Sequence, residues 1–300
     1  MLKALVLGNY SEGVRIARSL GVEVVGLTEK FFPDGEQYLR INEPREVDGE
    51  VVLVISTMYP MQDQAFTKLL IAADAVARSN ASEVVGVVPY IAYSRQDKEF
   101  MPGEPVSALV VLNALKTAGY SKIFTVDFHS NSLLSLTQSF LVNIHISDLL
   151  VKALAEVVEN PVVIAPDKGA LERARLAAES ISADYDHLVK LRDKVSGEVS
   201  YTPREVSVNG RDVILVDDII STGGTIAEAS RILLAQGARR IYVAASHGLL
   251  VGDALTRIAN AGVKRIVLAN TLGVRIQDPL VQYIDVSDRI AAVIREVLGV

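Results

Sequence analysis

Short apolar runs alternate with stretches of helical periodicity along this 300-residue chain. Leu2–Leu7, Val51–Ser56, Val84–Pro89, Lys122–Val126, Val162–Ala165, Arg240–Ser246 and Arg265–Ala269 read as strands, as does the run that opens at Val213. Several are apolar almost throughout, which is what a parallel strand buried on both faces requires. Between them, apolar residues at helical spacing predict helices from Ser11, a candidate N-cap, to about Gly21, and over Met61–Arg78, Ser107–Ala118, Ser147–Val158 and Ile226–Gln236. A further helix runs to about Ala261, and Val22–Leu27 reads as another strand. The two halves look alike: TVDFHSNSLL in the first sits where LVDDIISTGG sits in the second. Such β/α alternation predicts an α/β chain of two tandem doubly wound parallel-sheet domains. We place them at 1–143 and 144–300, with no long linker or low-complexity segment between.

The chemistry gathers where predicted strands end. The most specific stretch is VILVDDIISTGGT, Val213 to Thr225. A buried strand delivers Asp217 and Asp218 into Ser221, Thr222, Gly223, Gly224 and Thr225, and a helix begins at once. Two glycines allow close backbone approach, and loop amides at a helix N-terminus attract a phosphate. Carboxylates accept hydrogen bonds from vicinal hydroxyls, so the pair suits the sugar of a sugar phosphate. A plain strand–loop–helix turn with an acidic cap is the competing reading.

Four other loops carry weaker signals. In KFFPDGEQYLRI, Pro33-Asp34-Gly35 marks a turn between extended segments, with Phe31 and Phe32 beside it as a wall for a flat ring, or as an ordinary exposed turn. The strand ending at Pro89 leads into YIAYSRQDKEF, where Arg95 and Lys98 stand at the edge at which open α/β sheets bind ligands. Asp127 and His129, two apart at a strand end, are read as sharing one side of the strand and suiting a Mg²⁺-polyphosphate. Asp167-Lys168-Gly169 repeats the strand–loop–helix pattern, with amides for a pyrophosphate and a carboxylate for a metal. By contrast, HLVKLRDKVSGEVSY reads as an edge hairpin turning at Ser196-Gly197, with Lys190 and Arg192 as gatekeeper charges.

Composition narrows the classes. Half the residues are hydrophobic, enough for two cores, and a net charge of −6 with 22% charged residues gives no basic field for nucleic acid. No cysteine is present, which excludes disulfides, thiol catalysis and zinc–thiolate sites. No apolar run approaches the roughly 20 residues of a membrane span, and the N-terminus turns polar too soon for a signal peptide. A soluble cytoplasmic protein is the expectation.

The Val213–Thr225 stretch resembles the phosphoribosyl-binding motif of the phosphoribosyltransferase superfamily. Taken with FPDGE at Phe32–Glu36, SRQDK at Ser94–Lys98, DFHS at Asp127–Ser130 and PDKG at Pro166–Gly169, in that order, the chain closely resembles ribose-phosphate diphosphokinase, also called phosphoribosyl pyrophosphate synthetase. The resemblance covers Gly8 to about Thr271 and implies domains of phosphoribosyltransferase type. It also implies transfer of the β,γ-diphosphoryl group of Mg-ATP to the 1-hydroxyl of ribose 5-phosphate, giving AMP and phosphoribosyl pyrophosphate for nucleotide biosynthesis. It assigns Phe32, Asp34, Gly35 and Glu36 to an ATP site shared with a neighbouring subunit, hence a homo-oligomer of at least two chains. Arg95 and Gln96 become ATP contacts, and His129 and Asp167 the Mg²⁺-ATP ligation pair. Lys190 and Arg192 match the Lys-x-Arg of a mobile catalytic loop, replacing the edge-hairpin reading. Asp217, Asp218 and Ser221–Thr225, with Arg192, form the ribose 5-phosphate site. Ser221 departs from the Asp common in bacterial members. A phosphoribosyltransferase and a non-catalytic regulatory relative share parts of this pattern. The former does not need FPDGE or SRQDK, and the latter would carry an altered catalytic loop.

Overall fold

A computed structural model of the chain describes residues 1–8, 10–137, 139–192, 199–203 and 206–300, without the side chains of 190–192 and 199–203. They form two compact units, one of Met1–Ile144, Thr271–Val274 and Ser287–Val300, the other of His145–Asn270 and Arg275–Val286.

The first unit begins β1 (Leu2–Val6), α1 (Ser11–Leu20), β2 (Glu23–Val24), then a hairpin of β3 (Leu27–Phe31) and β4 (Gln37–Ile41). It continues β5 (Val51–Ile55), α2 (Gln62–Arg78), β6 (Glu83–Val87), α3 (Ser107–Thr117), β7 (Tyr120–Val126), α4 (Asn131–Leu136) and β8 (Leu141–Ile144). Six of its strands pair in parallel in the order β2-β1-β5-β6-β7-β8. β5 shows why: Val52, Leu53, Val54 and Ile55 are all fully buried, so both faces of the strand are covered.

The second unit holds α5 (Ser147–Lys152), β9 (Val162–Ala165), α6 (Leu171–Glu179), β10 (Asp184–Arg192), β11 (Val199–Pro203), β12 (Asp212–Ile220), α7 (Gly224–Ala235), β13 (Arg240–Gly248), α8 (Ala254–Asn260), β14 (Val263–Ala269) and β15 (Val281–Ile284). Its sheet runs β11-β10-β9-β12-β13-β14-β15, parallel except for β11, which pairs antiparallel to β10 from Leu188↔Pro203 to Arg192↔Val199. The centre is aliphatic: Ile164, Val213, Leu215, Val243, Ile258 and Leu268 belong to one buried cluster. The chain ends in α9 (Ser287–Leu298), which lies in the first unit. Among the described residues no helix is long and apolar enough to cross a membrane.

Several expectations change. Ser11 does not cap α1; it is the first helical residue, Tyr10 holds the cap position, and the Ser11 hydroxyl donates to Glu12 Oε2 at 2.9 Å. The strand expected over Val22–Leu27 is only Glu23–Val24 beside β1. The chain leaves the sheet at Gly26, whose carbonyl accepts from Asn42 N at 2.9 Å and so closes the base of the β3–β4 hairpin. The predicted Ser147–Val158 helix ends at Lys152 and gives way to turns. The turn expected at Ser196-Gly197 lies outside the described residues, while the strands flanking it do pair.

The internal repeat takes a different register from the one read in the sequence. In sheet order, β12 occupies the place that β5 occupies in the first unit, and β7 matches β14. LVDDIISTGG is therefore the counterpart of the stretch after Val51, and TVDFHS of LANTLG after β14. The last two strands agree in detail: Asp127 N donates to Ile144 O at 3.0 Å and Asn270 N to Ile284 O at 3.1 Å. The division at 143/144 also differs from the compact units, because α9 packs against α1. Ile290, Ala291 and Ile294 are among the buried positions of α9, and Ile16, Ala17 and Leu20 among those of α1.

Candidate functional site

In the second unit, β9 and β12 are parallel neighbours, so the loops that follow them share one edge of the sheet. Asp217 is partly accessible and Asp218 is buried. Asp218 N donates to Asp217 Oδ1 at 2.9 Å. Burial, and after it the charge of Asp218, pushes the Asp217 carboxyl well above the usual carboxylate range, against the pull of Arg173.

Three residues of loop follow β12 before α7 starts at Gly224. Gly223 stands at the helix N-cap with φ 71°, a left-handed conformation. A Cβ there would lie 2.9 Å from Ile258 Cδ1 and 3.1 Å from Ala254 O, so conformation and space both require glycine. The loop is tied from outside: Arg257 Nη1 donates to Thr222 O at 3.1 Å while Nη2 donates to Asp253 Oδ1 at 2.8 Å, and Val251 N donates to Ser221 O at 2.9 Å. With no side-chain cap on α7, its first amides are left to an anion, and Thr222 and Thr225 are exposed beside them.

After β9, Asp167 Oδ1 accepts from Gly169 N at 2.7 Å and Ala170 N at 3.2 Å, capping the short 3₁₀ turn that leads into α6. The residue is exposed, and its second carboxylate oxygen is not used by this cap. β10 runs to Arg192, past His187, the last residue to pair with β9. Lys190 and Arg192 thus continue the backbone beyond that strand end; their side chains lie outside the described residues.

Two residues of this region were not singled out from the sequence. Arg173 Nη1 lies 3.8 Å from Asp218 Oδ1, with only 13% of the side chain exposed. It falls on the stripe of α6 formed with Ala170, Ala174 and Ala177, a cation at a core position, and that periodicity is the signal that marks it. Arg257 has no local signal, because its partner carbonyl is remote in the chain.

In the first unit, Phe32, Asp34, Gly35 and Glu36 form the exposed turn between β3 and β4. Glu36 N donates to Asp34 Oδ1 at 3.1 Å, Gly35 N to Phe32 O at 2.9 Å, and Phe32 N to Glu36 O at 2.8 Å. The Phe32 ring meets Tyr38 edge-on at 5.9 Å, and Lys30 Nζ stands over both rings. Arg95 and Gln96 follow β6, the neighbour of β7. Arg95 is exposed, whereas Gln96 is partly buried and holds the start of α3, accepting from Ser107 Oγ through its side chain and from Ala108 N through its carbonyl.

His129 is exposed beyond the end of β7, and Asp127 is buried. Asp127 has φ 40°, which breaks the strand alternation. The two therefore do not share a side, contrary to expectation. His129 belongs to the first unit and Asp167 to the second. Among the described residues, no three His, Asp or Glu side chains gather as a metal cluster.

Comparison with known proteins agrees with the fold of two parallel-sheet domains. Residues 8–119 match the family described as the N-terminal domain of ribose phosphate pyrophosphokinase, and residues 201–299 the phosphoribosyl synthetase-associated domain. Ribose-phosphate pyrophosphokinase of Sulfurisphaera tokodaii is 38% identical over 96% of this chain and 98% of its own. That of Methanopyrus kandleri is 44% identical over 87% and 90%. The crystal structure of phosphoribosylpyrophosphate synthetase from Mycobacterium smegmatis matches with a TM-score of 0.88 at 29% identity, covering 99% of each chain. The chain belongs to the ribose-phosphate pyrophosphokinase family.

Proposed function

We propose that the chain transfers the β,γ-diphosphoryl group of ATP to the anomeric hydroxyl of ribose 5-phosphate, giving phosphoribosyl pyrophosphate and AMP. The observation that carries this reading is the stretch from Asp217 to Thr225: an acidic strand end, a loop that only Gly223 can close, and an uncapped helix, in a chain that matches the family over nearly its full length. The loop amides and the positive end of α7 hold the 5-phosphate, with Ser221, Thr222 and Thr225 adding hydroxyls. Asp217 and Asp218 take the ribose hydroxyls, and Arg173 keeps Asp218 in place.

On the donor side, Arg95 and Gln96 contact ATP, the Arg95 guanidinium presenting a fork to its phosphates. The Phe32–Glu36 turn supplies an aromatic face from a neighbouring copy, which makes the working form at least a dimer. In this reading His129 and Asp167, both exposed, would each serve Mg²⁺-ATP, since ATP sites supply few protein ligands and phosphate and water fill the remaining positions. When bound, the ion neutralises charge on the β- and γ-phosphates. In this reading Lys190 and Arg192 supply cations for the charge that builds on the bridging oxygen. The site of action is the cytoplasm.

The test is AMP formation from ATP and Mg²⁺ with and without ribose 5-phosphate, with the sugar product identified. AMP that appears only with the sugar, matched by a 1-diphosphate product, supports the reading. Binding of both substrates without AMP points to a non-catalytic relative, and pyrophosphate release from phosphoribosyl pyrophosphate with a nucleobase points to a transferase.

A further inference from the structure

The sheet register defines a second place in the molecule built like the phosphate loop. Val51 pairs with Leu2 in the first unit as Val213 pairs with Val162 in the second. From those residues the two chains run in step until a helix starts, at Gln62 in one and Gly224 in the other. Ile55 and Ser56 then stand where Asp217 and Asp218 stand, and Tyr59-Pro60-Met61 where Ser221-Thr222-Gly223 stand. A cavity of about 270 Å³ lies at this counterpart position, entirely within the first unit, lined among others by Thr57, Tyr59, Met61, Ala65, Lys68 and Gln37.

Its chemistry is not that of the phosphate loop. The carboxylate pair is gone, Pro60 has no N–H to give, and Asp63 in the first turn of α2 opposes an anion there. Lys68 is the one formal charge among the lining residues, and Glu29 Oε1 neutralises it at 2.9 Å while Glu29 Oε2 accepts from Gly8 N at 2.7 Å. A phosphate would have to displace that carboxylate. Two polar groups remain without a partner among the described residues: the hydroxyl of Thr57, whose residue is only 7% exposed, and the buried Oε1 of Gln37. Both atoms have almost no accessible surface, so a ligand meets them after a small side-chain shift, which relief of about 1–3 kcal/mol per unpartnered buried atom favours. Around them the walls are flat or soft and apolar, from Tyr59, Pro60 and Met61. The volume falls just below the roughly 300–1,000 Å³ of ligand pockets, which limits the occupant to a small one.

We infer that the first unit carries a second ligand site, at the counterpart of the phosphate loop, for an uncharged planar heterocycle that bears hydrogen-bond donors, of nucleobase or nucleoside size. The occupant donates to Gln37 Oε1 and pairs with the Thr57 hydroxyl while its ring lies on Tyr59 and Met61. Gln37 opens β4, so the occupant also stiffens the β3–β4 hairpin.

The probe is adenosine, titrated calorimetrically into the full chain with a saturating non-hydrolysable ATP analogue, so that any adenine contact made by ATP is blocked. The expected result is one analogue-insensitive adenosine per chain. Thr57→Val and the cavity-filling Ala65→Leu each weaken it at least tenfold, circular dichroism stays unchanged, and amide exchange slows over Gln37–Ile41 in the parent. Adenosine binding that the ATP analogue abolishes overturns the inference, as does binding unchanged in both variants or displaced by inorganic phosphate. Each of these results can be read whether or not the chain forms AMP.

Discussion

Asp217 and Gly223 place opposite demands on the same loop. Because burial and Asp218 raise the folded-state pKa of Asp217 above its unfolded value, the folded protein holds that proton more tightly. Stability is then greatest below the unfolded pKa and declines as pH rises through the raised folded value. Asp217→Asn imitates the protonated acid, so at neutral pH it raises Tm above the parent, and the gap closes in acid. The same change weakens ribose 5-phosphate binding, because a carboxylate facing the sugar hydroxyls is lost. Melting curves from pH 3 to 8 check the first effect, and KM for the sugar checks the second. An Asp217→Asn gap in Tm that does not vary with pH contradicts the assigned ionisation. Gly223→Ala meets both a left-handed φ and the Ile258 side chain, so it distorts the loop. It raises KM for ribose 5-phosphate at least tenfold and costs about 1–2 kcal/mol of stability, read by denaturant unfolding. Lys190→Ala tests the transfer step instead: kcat falls by two orders of magnitude or more while ribose 5-phosphate affinity holds, and a kcat within a fewfold of the parent removes the residue from that role.

At the scale of elements, the site edge of β12 and its opposite end do different work. Asp212 opens the strand fully buried and takes Arg239 Nε at 2.9 Å, Arg240 Nε at 3.1 Å and Glu159 N at 2.8 Å. Burial pushes its carboxyl up, but the two guanidinium groups and the amide outweigh that and hold it below the usual range. The stability it gives is present above the unfolded pKa and is lost as pH falls through the lower folded value. Asp212→Ala takes the buried acceptor from one amide and leaves Arg239 and Arg240, both partly exposed, with Glu159 as their remaining carboxylate. It should cost about 3 kcal/mol in urea unfolding at neutral pH, and progressively less in acid, with KM for ribose 5-phosphate little changed because the site lies at the other end of the strand. The same contrast explains what could be read from the sequence. β12, its loop and α7 were legible because apolar run, acidic pair, glycines and helix are contiguous. β8 and β15 were not, since four-residue edge strands with partly exposed positions carry no clear period. Arg173 and Arg257 act across the fold, and the side Asp127 takes depends on one backbone angle.

At the scale of the molecule, the chain is a duplication whose final helices are not kept at home. α5 follows β8, the last strand of the first half, yet belongs to the second unit, and α9 follows β15 yet belongs to the first. The sequence supports the equivalence: Ile144-His145-Ile146-Ser147-Asp148 and Ile284-Asp285-Val286-Ser287-Asp288 follow corresponding strands. In the first unit α9 completes a layer over α1, and Ser19 fixes it twice, by its hydroxyl to Asp288 Oδ1 at 2.7 Å and by its carbonyl to Arg295 Nη2. Residues 1–143 therefore do not contain all of the first unit, whereas 144–300 span the whole of the second. Residues 1–143 expressed alone lack α9 and leave Ile16 and Leu20 of α1 uncovered. Removing two buried isoleucines of α9, at about 1.5–3 kcal/mol each, takes about 3–6 kcal/mol from that unit, a large share of the 5–15 kcal/mol typical of a whole domain. The fragment 1–143 should therefore bind a hydrophobic dye and lose its cooperative melt. A fusion of 1–144 to 287–300 through a flexible linker should recover that melt. If the bare fragment melts as sharply and as high as the fusion, α9 does not stabilise the first unit, and its burial against α1 is incidental to folding.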